Sequence, residues 1–150
     1  MNLTPLRLQP GQDLKASLEA WIAEQPAGSG WMISGIGSLS RLQLRLAGRT
    51  QPSVFQQDLE ILSLQGSLSR DGCHLHITVS DEHGSVFGGH LCSGSVVRTT
   101  AELLVTVLPQ WQLRRAADTS TGYRELMIQP RVSRSPLLRW REWCSRRGGS

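Results

Sequence analysis

The sequence predicts an α+β fold, a mainly antiparallel β-sheet with flanking helices in a single domain. Three observations predict it. One strong helical pattern stands near the N-terminus, where Leu14, Leu18, Trp21 and Ile22 recur at i, i+4, i+7 and i+8. From Gly30 onward, short apolar runs and strict alternation of strand type dominate. Between those runs stand turn signals such as Asp71-Gly72 and Asp81-Glu82-His83-Gly84, which favour antiparallel neighbours.

The elements follow in chain order. Leu6 and Leu8 alternate with Arg7 and Gln9, a half-buried strand that Pro10-Gly11 stops. Asp13 is suited to cap the helix that begins at Leu14, and Pro26 and Gly28 end it. Residues 31–39 are apolar and punctuated by glycine, and Leu42, Leu44 and Leu46 alternate with Gln43 and Arg45 in a further strand. Leu59, Ile61, Leu64 and Leu68 mark the next strands, with Gly66 inside them. His74, His76 and Thr78 then alternate with Leu75, Ile77 and Val79. Residues 86–91, 103–108, 111–113 and 126–128 supply the remaining strands, although 99–107 also suits a short helix because Ala101-Glu102-Leu103-Leu104 tolerates one. Glycines inside strands point to bulges or to close approach of another backbone or of a ligand, the alternative being ordinary turns.

A chain of 150 residues is sized for one domain and can bury a core without disulfides. No apolar run approaches the roughly 18–20 residues of a membrane span. Residues 1–5 carry neither a basic stretch nor an apolar core, so no signal peptide is expected and the expected location is cytoplasmic. Cys73, Cys92 and Cys144 are odd in number and form no CxxC pair, which fits reduced, packed thiols. The net charge of +4 is uneven: residues 131–150 hold six arginines against Glu142, a local +5, while the first 130 residues carry 10 basic and 11 acidic side chains, a net −1. The pI of 9.6 therefore describes the tail and is weak evidence that the body binds nucleic acid. The composition shift divides the chain into a domain at 1–130 and a basic tail at 131–150. In the tail Leu137, Trp140, Trp143 and Cys144 would share a helical face, with Arg139, Arg146 and Arg147 mostly off it. Such a stretch binds nucleic acid or an acidic surface, or docks on its own domain or solubilises it; the blander pair is preferred for about two turns of pattern.

Motifs narrow the chemistry. Gly35-Ile36-Gly37 is not a dinucleotide fingerprint, because Ser40 stands where the third glycine belongs and a strand follows. There is no phosphate-binding GxxxxGK[ST] and no GxSxG nucleophile elbow. The histidines say more. His74 and His76 are two apart in a strand, so both rings leave one face. If residues 81–84 turn the chain about a centre near 82–83, His74 falls opposite 90–91 and His76 opposite 88–89, and His90 joins that face. Three imidazoles suit a borderline metal such as zinc and leave a coordination position open, and Gly88-Gly89 beside His90 would leave room around the ion. The alternative is three cross-strand histidines with no metal. His83 falls in the turn and is left out.

The order of these pieces resembles the plant- and prokaryote-conserved (PPC) domain in its bacterial stand-alone form. The carrying residues are 7–14 (RLQPGQDL), 35–39 (GIGSL), Leu44-Arg45, 60–68 (EILSLQGSL), 72–76 (GCHLH), Asp81, Gly88-Gly89-His90-Leu91, 99–102 (TTAE) and 123–126 (YREL). The resemblance covers residues 3 to about 128. It implies an antiparallel sheet with helices packed against it, assembled as a homotrimer, and a metal, usually zinc, at His74, His76 and His90. The DNA-binding role of the plant members is not carried over, since their AT-hook core is missing: Arg146-Arg147-Gly148-Gly149 has neither the proline nor the Arg-Gly-Arg order, which leaves a DNA-associated regulator open only through the basic tail. Nucleic acid is thus expected only through the tail. Two function classes follow. The first is a non-enzymatic, homotrimeric interaction or regulatory module with a structural or sensing metal site, open to a protein partner or small ligand. The second is a zinc-dependent enzyme acting on a small molecule through metal-bound water, with Glu102 and Asp81 as candidate bases by family position. The lack of a clear acid/base pair favours the first.

Overall fold

The structure is a computed structural model that describes residues 3–131. Strand β1 (Leu3–Leu8) leads to helix α1 (Leu14–Glu24) and then to β2 (Ser29–Arg45), β3 (Ser53–Phe55), β4 (Leu59–Ser69), β5 (His74–Ser80), β6 (Val86–Leu91) and β7 (Val96–Val107). A hairpin of β8 (Trp111–Ala117) and β9 (Arg124–Pro130) closes the described chain. This is the expected α+β class, with α1 as the single helix among the described residues.

Strand β2 is the spine. Its first half pairs antiparallel with β4 on one side and β7 on the other, and its far end pairs with β3 and β6. Because β6 also pairs with β5, and β5 with β4, the strands β2, β4, β5 and β6 form a closed circuit. Residues 31–39 and 42–46, expected as separate strands, fall largely within this one 17-residue element. Register shifts at Met32/Ser34 and beyond bend it without ending it. Residues 99–107 are strand, not helix. Ala101, Leu103 and Val105 are buried in alternation while β1 and β2 hydrogen-bond both edges, so the sheet overrides local helix tolerance.

The core lies inside the curved sheet and under α1. Leu14, Leu18 and Ile22 are at most 1% exposed, and they belong to one buried cluster with Leu64, Leu68, Leu75 and Leu103. Asp13 starts the helix as expected: its Oδ1 accepts the Ala16 N–H at 2.9 Å, and its Oδ2 accepts the Gly94 N–H ahead of β7. Gly66 shows what strand-interior glycine does here. Its φ is +146°, and an added Cβ would collide with the His74 carbonyl oxygen. Here the glycine admits the chain's own neighbouring strand.

The β8–β9 hairpin is a separate two-stranded sheet pinned to the body by polar contacts. The Leu113 N–H donates to Ser29 Oγ at 3.0 Å, and the Arg115 N–H donates to Asp71 Oδ2 at 3.1 Å. Arg131, the first residue assigned to the tail, donates from its guanidinium to the carbonyls of Ala27 and Trp111. The rest of the tail, including the apolar face of Leu137, Trp140, Trp143 and Cys144, lies outside the described residues. No helix among the described residues is long and apolar enough to cross a membrane.

Candidate metal centre

Strands β5 and β6 form an antiparallel pair in which His76 lies directly opposite His90. His90 in turn lies opposite Arg45 of β2. Opposite residues of an antiparallel pair share a face, so Arg45, His90 and His76 form one row, and His74 leaves the same side two residues from His76. The turn explains a correction of one to two residues to the expected register. The Asp81 N–H donates to the Ser85 carbonyl and Asp81 Oδ1 accepts from both His83 and Ser85. The turn therefore centres on His83, and it is His76, not His74, that faces His90.

The three rings converge. The Nε2 atoms of His74 and His76 are 3.2 Å apart, and one ligand nitrogen from each of the three residues lies within 4.8 Å of the others. Two nitrogens at roughly 2.0–2.1 Å from one tetrahedral zinc would be separated by about 3.3 Å, so the first pair already has the spacing of shared ligands. His90 Nδ1 is buried without a hydrogen-bond partner. An orphaned buried nitrogen is costly, and a bound ion would offset that cost directly or by reorienting the ring. Burial, reinforced by the Arg45 cation, pushes the His90 imidazole down to about 4. Burial and the Arg115 guanidinium lower His74 as well. Both rings are thus held neutral, the form that binds metal. The donor set fits a borderline divalent ion.

The surroundings differ from expectation in three ways. Gly88 and Gly89 do not make room for an ion: a Cβ at Gly88 would strike the Ile77 carbonyl at 2.5 Å and one at Gly89 the Arg45 carbonyl at 2.8 Å, so they allow β6 to lie close to both neighbours. Asp81 holds the β5–β6 turn. Glu102 lies on β7 opposite Ile36, in a groove with Leu6 and Leu103 on another part of the sheet, so neither acid joins the histidines. The carboxylate beside His74 is Glu125 of β9. It borders a cleft of about 440 Å³ that also holds His90, Arg45, Arg115 and Arg124. Cys73 lines this cleft too, but burial pushes its thiol up to about 12, so it is not a ready thiolate. The alternation of β9 carried no sign that Glu125 would reach His74, because the hairpin docks through contacts between residues far apart in sequence.

The Plants and Prokaryotes Conserved (PCC) domain model matches residues 1–109. The chain belongs to this family. Among solved structures, this PCC-domain chain is similar to a hypothetical protein from Salmonella cholerae-suis (also called Salmonella enterica). The TM-score is 0.84 with 37% identity, covering 87% of this chain and 95% of that one. It is also similar to a metal-containing protein from Archaeoglobus fulgidus, with a TM-score of 0.68 and 29% identity over 85% and 94% of the two chains. Among curated proteins it is 48% identical over 130 residues to the bifunctional protein GlmU of Synechococcus sp. (strain JA-2-3B'a(2-13)), which is 87% of this chain and 21% of that protein. The PCC chain therefore spans about a fifth of the length of the curated relatives it matches.

Proposed function

We propose that this PCC-domain protein is a non-enzymatic, homotrimeric interaction or regulatory module whose His74, His76 and His90 hold one divalent metal ion, zinc being the best chemical match. The observation that carries the metal is the 3.2 Å spacing of two Nε2 atoms with a third imidazole in reach. A related protein described as metal-containing supports it. Self-association draws support from the family resemblance and from an uncovered apolar surface: Trp31, Ile33 and Ile36 of β2 and Leu62 of β4 are all exposed by more than a third. Apolar groups exposed on two neighbouring strands suit a protein partner or a second copy. The modular reading is supported by the curated relatives, in which the matching segment is about a fifth of a longer chain. A cytoplasmic setting is part of the same proposal.

A second reading, a metal-dependent enzyme acting on a small molecule, is favoured by one observation: the open cleft beside His74 and His90 with Glu125 on its wall. The metal would supply Lewis acidity, and Glu125 would be the group placed to move a proton. Elemental analysis of purified protein, combined with light scattering, tests the main proposal. One metal per chain and a mass of three chains are expected. A metal-free protein that takes up no zinc, or a single-chain mass at micromolar concentration, would overturn it.

A further inference from the structure

The cleft carries an unbalanced set of charges. Lys15 of α1 is paired with Glu19, 3.9 Å away. Arg45, Arg115 and Arg124 also line the cleft, and among the described residues none of the three has a carboxylate within 4.0 Å. Three carboxylates share the wall and accept hydrogen bonds elsewhere, although Glu125 still acts electrostatically on Arg115, so the lining holds four basic side chains against three acids. Asp71 accepts the backbone N–H of Arg115, Glu19 accepts the Cys73 N–H, and Glu125 accepts the Thr121 hydroxyl. The guanidinium groups flank the histidines from two ends. Arg45 lies opposite His90 in the β2–β6 pair. Arg115 donates from Nη2 to Ser67 Oγ at 2.9 Å, and Ser67 lies opposite His74 in the β4–β5 pair. Arg115 and Arg124 belong to the β8–β9 hairpin, beyond the residues that the family model matches.

We propose that this cleft binds the carboxylate or phosphate group of a small organic anion, held by Arg45, Arg115 and Arg124 beside the histidine centre. Guanidinium forks match oxyanions by paired, charge-assisted hydrogen bonds, and a cleft of about 440 Å³ has room for a metabolite-sized molecule. The inference rests on the metal reading only for one point: a bound cation would add to the field that attracts the anion. The guanidinium wall stands without it.

Calorimetric titration of the full chain with inorganic phosphate and, separately, with succinate tests this, in protein loaded with cobalt(II) and in metal-free protein. Saturable binding of at least one probe is expected, and which probe binds tells phosphate from carboxylate ligands. Arg45→Gln and Arg115→Gln should each weaken binding about tenfold or more, the loss of a charge-assisted contact. Arg124→Gln, at an exposed position, should do so as well, with thermal unfolding of the variant checking that loss of its Nη2 hydrogen bond to the Arg115 carbonyl, 2.7 Å, leaves the hairpin folded. Arg98→Gln, whose residue is paired with Asp58 at 2.7 Å, should leave affinity unchanged. The visible spectrum of the cobalt protein reports the metal reading by itself. If cobalt is not taken up but phosphate or succinate still binds in an arginine-dependent way, the metal reading fails and the anion site stands. If neither probe binds either form, or if the arginine variants bind like the wild type, the anion site is overturned.

Discussion

The two faces of the β5–β6 pair are built from alternate residues of the same few strands, yet they obey different rules. Inward, Leu75, Ile77, Val79 and Leu91 are at most 2% exposed and close the core. Outward, His74 and His90 are half-buried, His76 is exposed, and their nitrogens face one another. The inner face is satisfied by packing within the chain. The outer face keeps like groups together, two of them with pKa values pushed down by burial and by neighbouring arginines, which contributes nothing to folding by itself. The difference shows that the inner face holds the strands in register and the outer face uses that register.

The sharpest way to break this comparison is on the inner face. Ile77→Ala should destabilise the protein by about 2–5 kcal/mol, the cost of removing buried methylene groups and leaving a cavity. Chemical denaturation checks it, and a loss below about 1 kcal/mol would mean that the circuit of β2, β4, β5 and β6 is not a packed core. On the outer face, His76→Ala should leave the stability of metal-free protein nearly unchanged, because its side chain is exposed. Zinc affinity should fall by more than about 100-fold, beyond the range seen when only an outer-shell partner of a ligand is lost. Equal zinc affinity in the variant and the wild type would remove the site.

Much of this division was legible in the sequence. Alternation of His74, His76 and Thr78 with Leu75, Ile77 and Val79 assigns the two faces, because strand periodicity is a local property. The register was harder. Whether His74 or His76 meets His90 depends on how Asp81 organises the turn through the Ser85 N–H and carbonyl, and a shift of two keeps the face while changing the partner. The wall of the cleft was not legible. Arg115 reaches Ser67 across 48 residues of sequence, and no pattern within β8 or β9 encodes that contact. Glycine was misleading for a related reason: a strand-interior glycine signals close approach but not of what, and at Gly66, Gly88 and Gly89 the approaching group is the chain's own backbone.

Acid should separate the two faces more gently. The folded His90 imidazole sits at about 4, against about 6.5 in an unfolded chain. Between those values the unfolded chain takes up a proton that the folded one refuses. His90 therefore leaves stability untouched above about pH 6.5 and lowers it progressively as pH falls toward 4. His74, lowered in the same direction, adds to the slope. Urea midpoints of metal-free protein between pH 7 and 4 should fall, and His90→Gln should make the fall shallower. An identical slope in the variant would show that His90 is not held neutral by its surroundings. The same depression means that protons compete with metal at these two ligands only below the pH at which free imidazoles would titrate.

The smallest expected effect is the most discriminating for the histidine count. His83 belongs to the same pair of strands and lies seven residues from both His76 and His90, but it stands at the turn, with its side chain 79% exposed and paired with the equally exposed Glu82 at 3.5 Å. An exposed pair of this kind contributes little. What the turn needs from residue 83 is its backbone N–H, which donates to Asp81 Oδ1 at 2.9 Å. His83→Ala preserves that group. It should change stability by less than about 0.5 kcal/mol and leave zinc stoichiometry at the wild-type value, while the His74/His76/His90 triple alanine variant binds none. If His83→Ala instead lowered stoichiometry, imidazole content rather than geometry would govern binding. The convergence of the other three rings would then be incidental to metal uptake.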